Sequence, residues 1–292
     1  MRPHLFCFGL GYSAGVLAER LAAKGWLITG TSRSAEGVEA IAAKGWRAFK
    51  FEGSEPLPDG ALEGVTHMLS SVPPTPAGDP VLAAAGDALA GHAKELRWAG
   101  YLSTTGVYGD KGGGWVDETS PLAPSTDRGH RRLAAETSWM DLHRDSGLPM
   151  HIFRLPSIYG PGRNQLESVL DGTARRIVKP GQVFSRIHVE DIAGALEASI
   201  AKPRPGAAYN VADDEPAPPQ DVVAYAAQLL GQAPPPEVAF EDADLSPMAM
   251  SFYAESKRVS NRLLKEELGY RLRYLTYREG LTALLAKLPR RP

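Results

Sequence analysis

A short apolar run, His4–Phe8, leads directly into Gly9-Leu10-Gly11-Tyr12-Ser13-Ala14, and a helical stretch is expected at Ala14–Lys24. By itself a glycine triplet also fits an ordinary strand–turn–helix. Its position between a strand and a helix is what points to the phosphate-cradling turn of a dinucleotide-binding βα unit. Gly9 permits the tight turn, Gly11 clears the backbone for a pyrophosphate, and Ala14 is small enough for the helix to pack on the strand. The start of that helix offers unpaired N–H groups and a partial positive charge. Gly9, Gly11, Tyr12, Ser13 and Ala14 are therefore candidate cofactor contacts.

The same alternation continues. Strands are expected at Trp26–Thr29, Trp46–Phe51, Thr66–Val72, Gly100–Ser103 and Pro149–Leu155. Helices are expected at Val38–Lys44, Val81–Trp98 and Asp127–Arg144, with apolar residues recurring on one face. Such β-α alternation predicts an α/β fold, a Rossmann-type doubly wound parallel sheet with helices on both faces. The second half changes character. Proline-rich stretches at Pro203–Pro205, Pro216–Pro219 and Pro234–Pro236 are read as loops between helices at Val189–Ala201, Gln220–Leu230 and Val259–Glu267. The expected division is a nucleotide-binding domain over 1–165, rejoined by 185–212, with a small C-terminal cap from 166–184 and 213–292.

Composition limits the partners. With 32 basic and 34 acidic side chains in 292 residues, net charge is -2 and no long run of either sign occurs. That balance provides no field for nucleic acid or an anionic membrane surface. A small anionic substrate stays compatible, because a few local arginines suffice to hold one. No apolar stretch approaches the ~20 residues that span a bilayer, and the N-terminal segment reads as a strand, not a leader, so a cytoplasmic location is expected. The single cysteine, Cys7, lies in the first strand and forms no intrachain disulfide. No cluster has the spacing of metal ligands, so no metal is expected.

The end of the second strand bears on cofactor choice. NAD-preferring folds usually place a carboxylate there for the ribose hydroxyls. This chain reads Gly30-Thr31-Ser32-Arg33-Ser34. Arg33 with Ser32 suits a 2′-phosphate, through charge-assisted hydrogen bonds, which favours NADP over NAD while leaving NAD open. Ser71, Val72 and Pro73 at the end of the fourth strand, and Pro156 and Ile158 after the sixth, complete the expected cofactor contacts.

Five further segments carry a resemblance. They are Tyr101–Gly109, Val116–Pro121, Arg154–Arg163, Ile187–Ile192 and Tyr209–Pro216. In this order they resemble the extended short-chain dehydrogenase/reductase superfamily, specifically its NAD-dependent epimerase/dehydratase group. The resemblance implies a tyrosine-x-x-x-lysine pair on the helix after the fifth strand. Here that helix reads Arg128-Gly129-His130-Arg131-Arg132, so Arg128 stands in the tyrosine place and Arg132 in the lysine place, as in atypical subgroups. Arg132 would keep the ribose contact. Arginine stays protonated, so neither residue replaces the tyrosine as acid–base group. Thr104 matches the family hydroxyl that bonds the reacting carbonyl, and His130 is the nearby group that titrates near neutrality. Arg128, Tyr159, Arg163 and Lys257 are the expected substrate contacts. Tyr108 and Tyr159 are weaker proton-donor candidates, and His188 reads as structural.

Two functions follow. One is an NAD(P)-dependent oxidoreductase or epimerase with a substituted acid–base group, acting on a small polar or anionic molecule. The other is a catalytically silent, NADP(H)-binding regulatory or scaffold protein. Relatives pair through the Val81–Trp98 and Asp127–Arg144 helices, so a monomer or a homodimer is expected.

Overall fold

The computed structural model describes residues 2–288. β1 (His4–Phe8) is buried along its whole length and feeds α1 (Tyr12–Ala23), β2 (Leu27–Ser32), α2 (Ala35–Ala42) and β3 (Arg47–Lys50). β4 (His67–Ser70), α3 (Pro80–Gly91), β5 (Trp98–Thr104), the short β6 (Trp115–Val116), α4 (Asp127–Ser146) and β7 (Met150–Leu155) follow. Then come β8 (Ser157–Tyr159), α5 (Gln165–Leu170), β9 (Arg176–Val178), β10 (Arg186–His188), α6 (Val189–Ala201) and β11 (Ala208–Asn210). The chain ends with α7 (Pro219–Leu229), β12 (Glu237–Ala239), α8 (Pro247–Tyr253), β13 (Arg258–Val259), α9 (Arg262–Leu268) and α10 (Tyr277–Leu285).

Seven strands form one parallel sheet in the order β11-β7-β5-β4-β1-β2-β3. From the β1–β4 pair the chain winds outward in both directions. Helices therefore cover both faces, and a crevice opens at the carboxyl ends of β1 and β4. The pairing of Phe8 with Ser70 sets Gly9 beside Ser71 at that crevice.

One face of the sheet is covered by Leu17 and Leu21 of α1, Leu196 of α6 and Leu264 of α9. The other is covered by Val81 and Leu89 of α3 and by Ala135 and Trp139 of α4. Each is a mainly apolar contact, the main favourable term in holding helices on a sheet. A third cluster joins Leu166 of α5, Val222 and Ala226 of α7, and Leu281 of α10.

The expected α/β class and parallel sheet are present, and three differences from the expected elements have physical causes. α3 ends at Gly91, short of Trp98, where the His92 ring bonds the Val65 carbonyl at 2.9 Å. Ala93 and Leu96 still bury, but from turns, and Trp98 already belongs to β5. Val259 is not helical either. It pairs with Val116 in a two-stranded ribbon, and α9 begins only at Arg262. Pro219 lies in the first turn of α7, where a missing N–H costs nothing. Among the described residues, no helix is long and apolar enough to cross a membrane.

Candidate active site

Gly9 adopts φ 74°, and a β-carbon there would come within 3.1 Å of the Val72 side chain and 3.2 Å of Ser71 Oγ. The Gly9 N–H donates to Thr31 Oγ1 at 2.8 Å, and Ser71 Oγ donates to the Gly9 carbonyl at 2.5 Å. The turn is thus pinned from both neighbouring strands. Gly11 is the N-cap of α1 and brings no side-chain cap, and the first turn of the helix carries no acidic residue. A β-carbon on Gly11 would meet nothing within 4 Å, so its face of the turn is open. The N–H groups of Tyr12, Ser13 and Ala14 consequently have no helical acceptor. An open glycine cradle and an uncapped helix start whose first turn holds no acidic residue fit a dinucleotide pyrophosphate.

This turn forms one end of a cleft of about 670 Å³. Of the expected cofactor residues, Gly11, Tyr12, Ser13, Ser71, Thr104, Arg132, Pro156 and Ile158 line it. Ala14 is buried beneath the turn and Val72 packs behind Gly9. Pro73 follows Val72 outside the cleft lining. Ser32 and Arg33 stand apart, just before α2 and its N-cap Ser34, with Arg33 exposed.

Thr104 ends β5, and its Oγ1 accepts the Gly106 N–H at 3.2 Å, which leaves its own proton free to donate. Arg132 reaches from α4 to the Tyr101 hydroxyl at 2.9 Å and the Leu102 carbonyl at 2.8 Å, and lies over the Tyr101 ring. Two neutral acceptors hold it without spending its charge. Arg128 lies one turn earlier, its guanidinium 5.1 Å from the Phe252 ring centroid. Partial desolvation, then the nearby Arg132 and Arg163, holds its pKa below the usual arginine value, although the side chain is exposed. Among the described residues the cleft is lined by five arginines (128, 132, 163, 175 and 186) and Lys257, against one carboxylate, Glu255. In a chain of net charge -2 this is a strong local excess of positive charge.

Two expected site residues, Tyr159 and His130, are placed differently. Tyr159 does not reach the cleft. It is 4 % exposed, sits edge-on to His188, and its hydroxyl comes within 2.1 Å of where a Gly280 β-carbon would be. It packs against α10 because alternate residues of β8 face opposite sides. His130 is exposed and outside the cleft, since two residues along a helix turn it away from the Arg128–Arg132 face. Lys257 lines the cleft, yet its ammonium is bound to Glu255 at 2.7 Å and is no free anion contact. Tyr108 is also committed, donating to Asn210 Oδ1 at 2.8 Å and accepting from Arg154 at 3.0 Å. His188 caps α6 through its Nδ1, and burial lowers its pKa to about 4.

Sequence reasoning missed Glu255, Arg175, Arg186, Phe252 and Tyr253, all on the cleft. The cluster of charges in Glu255-Ser256-Lys257-Arg258 was the available signal for the first of these.

A glycine-rich βα turn at the switch point of a doubly wound sheet defines a Rossmann-type fold, and residues 87–212 match the NAD-dependent epimerase/dehydratase family. The chain belongs to that family. It is similar to a solved protein of unknown function from Silicibacter pomeroyi, 56% identical, covering 98% of this chain and 99% of that one at a TM-score of 0.90. It is 32% identical to protein YeeZ of Escherichia coli K12 over 78% of this chain and 84% of YeeZ. It is also 28% identical, over 57% of this chain and 58% of the relative, to a 3-diazoavenalumate denitrifying reductase of a Streptomyces species.

Proposed function

We propose that the protein is an NADP(H)-dependent oxidoreductase of the epimerase/dehydratase type, acting on a small anionic substrate with a non-standard acid–base group. The observation that carries the reading is the cleft itself, where an uncapped α1 and Thr104 share one opening with an excess of arginines. When bound, a nicotinamide would supply or accept hydride there. Gly11, Tyr12, Ser13 and Ala14 would hold its pyrophosphate, and Arg132 its ribose. Thr104 would donate a hydrogen bond to the substrate oxygen, and Arg128 and Arg163 would grip the anionic part through planar, bidentate contacts. The preference for NADP rests on Arg33, exposed and without an ion partner among the described residues, beside the N-terminus of α2. The reductase among the relatives supports redox chemistry over silence. The absence of tyrosine and lysine from α4 is what favours the second reading, a nucleotide-binding protein without turnover.

Titration of protein fluorescence with NADPH and NADH tests the reading. Saturable binding of NADPH, tighter than that of NADH, is expected. Failure to bind either would remove both readings.

A further inference from the structure

The arginines that crowd this cleft cannot release a proton at any pH at which a protein stays folded. The chemistry proposed above therefore needs a donor other than these arginines. We propose that Lys257 is the catalytic proton donor of this site and that Glu255 positions it. The assignment rests on the oxidoreductase reading.

Four observations converge on the pair. Both side chains are only 9 % exposed, and they meet at 2.7 Å. Both line the cleft together with Thr104 and Gly106. A β-carbon on Gly106 would lie 3.6 Å from Thr104 Oγ1 and 4.0 Å from Glu255 Oε2, so the carboxylate stands beside the strand end. The other carboxylate oxygen of Glu255 accepts from Ser125 Oγ at 2.9 Å. The backbone between the pair is fixed as well: Ser256 N donates to Asp110 at 2.8 Å, and Gln182 bonds the Glu255 carbonyl at 2.7 Å. Burying two charges is costly, and an apolar pair would tie this segment down as well or better. A buried charge pair kept on the lining of the cleft is better explained by chemistry.

The other phenols fit less well. Tyr12 donates its hydroxyl proton to the Pro161 carbonyl at 2.9 Å. Tyr253 lines the cleft too, but its ring is held between Phe184 and Phe240.

In the reductive direction, hydride adds to the substrate carbonyl carbon and the C=O electron pair moves to oxygen. The Lys257 Nζ–H bond then breaks as its proton passes to that oxygen, and solvent reprotonates the amine. The balance is carbonyl, reduced nicotinamide dinucleotide and one proton to alcohol and oxidised dinucleotide.

Two experiments decide the matter. In the first, the native protein is treated with 4-carboxybenzaldehyde and cyanoborohydride and mapped by peptide mass. An amine that reaches a carbonyl bound in the cleft forms an imine, which is then reduced to a stable secondary amine. Label on Lys257 that falls in Arg163→Ala is expected; Lys257 unlabelled while other lysines react overturns the assignment. In the second, anionic aldehydes and 2-oxo acids are screened for NADPH oxidation. Lys257→Arg keeps the charge but has no proton to give, and it is expected to lower kcat by about 100-fold or more while NADPH affinity stays within about threefold. Lys257→Met, with its melting temperature, guards against a folding defect. Turnover surviving in both variants, or lost only in Tyr253→Phe, overturns the assignment alone. No turnover by the native protein overturns the oxidoreductase reading and this assignment with it.

Discussion

Glu136 on α4 and Arg154 on β7 meet at 2.8 Å beneath the floor of the cleft, their side chains 5% and 7% exposed. Arg154 also bonds the Tyr108 hydroxyl at 3.0 Å, and Glu136 accepts from Ser103 Oγ at 2.5 Å. The pair thereby connects α4, which carries Arg128 and Arg132, to the strand that ends in Thr104. Removing one partner leaves the other charged, buried and unpaired. Arg154→Met is expected to cost about 3–5 kcal/mol of unfolding free energy by urea titration. The double variant Glu136→Leu with Arg154→Met should regain most of that loss. A double variant no better than the single one would show that the pair contributes more than its own burial cost.

Arg33 gives a prediction about cofactor choice. It is exposed, so its removal should not disturb the fold. If it meets a 2′-phosphate, Arg33→Ala loses charge-assisted hydrogen bonds of about 1.5–3 kcal/mol, a decrease in NADPH affinity of roughly tenfold to a hundredfold. NADH affinity should be unchanged. Equal weakening of both cofactors would remove the NADP preference. Rising salt should narrow the gap, because the contact is at the surface.

The cofactor half of the site was readable because it is local. The strand, turn and helix that form it are consecutive, and β1 lies at the residues expected, His4–Phe8. The bounds of α6 were likewise readable, since Glu190 and Asp191 mark its first turn. The substrate half was less readable because it is assembled from distant loops. Glu255 and Lys257 follow α8 and share the cleft with Thr104, just before β13, which pairs with β6, far away in sequence. No periodicity encodes such a contact. Tyr159 failed for the converse reason: a tyrosine at a strand end has two sides to face, and residue order alone does not say which is the core.

Asp213 carries a pH dependence. Its side chain is almost fully buried, and burial raises its pKa from the ordinary 3.8 to about 8, although Arg186 opposes the shift. In the unfolded chain this carboxyl loses its proton near pH 4, whereas the native protein keeps it until about pH 8. Between those values the native state binds more protons, so stability falls as pH rises. Asp213→Asn cannot ionise and should remove that slope. Its advantage in melting temperature over the native protein should be small at pH 4 and should grow up to about pH 8. The buried His67, His151 and His188, held at about 4, act in the opposite sense, lowering stability as pH falls below 6.5. They are common to both proteins and cancel in the comparison. A constant difference between the two across this range would show that Asp213 titrates normally.

Tyr159 provides the test that separates a packing residue from a cleft residue. Its hydroxyl is buried and has no hydrogen-bond partner among the described residues. Its ring fills the space above Gly280, a position where any β-carbon would collide with it. Tyr159→Phe removes a polar atom that burial has already deprived of water, while leaving the ring in place. The change should therefore be neutral or stabilising, by up to about 1–3 kcal/mol. Tyr159→Ala leaves a cavity in the cluster shared with Leu166 and Leu281 and should cost about 3–5 kcal/mol. Neither NADPH affinity nor turnover should change in Tyr159→Phe. A loss of turnover in that variant, at unchanged stability, would return the phenol to the reaction and displace Lys257.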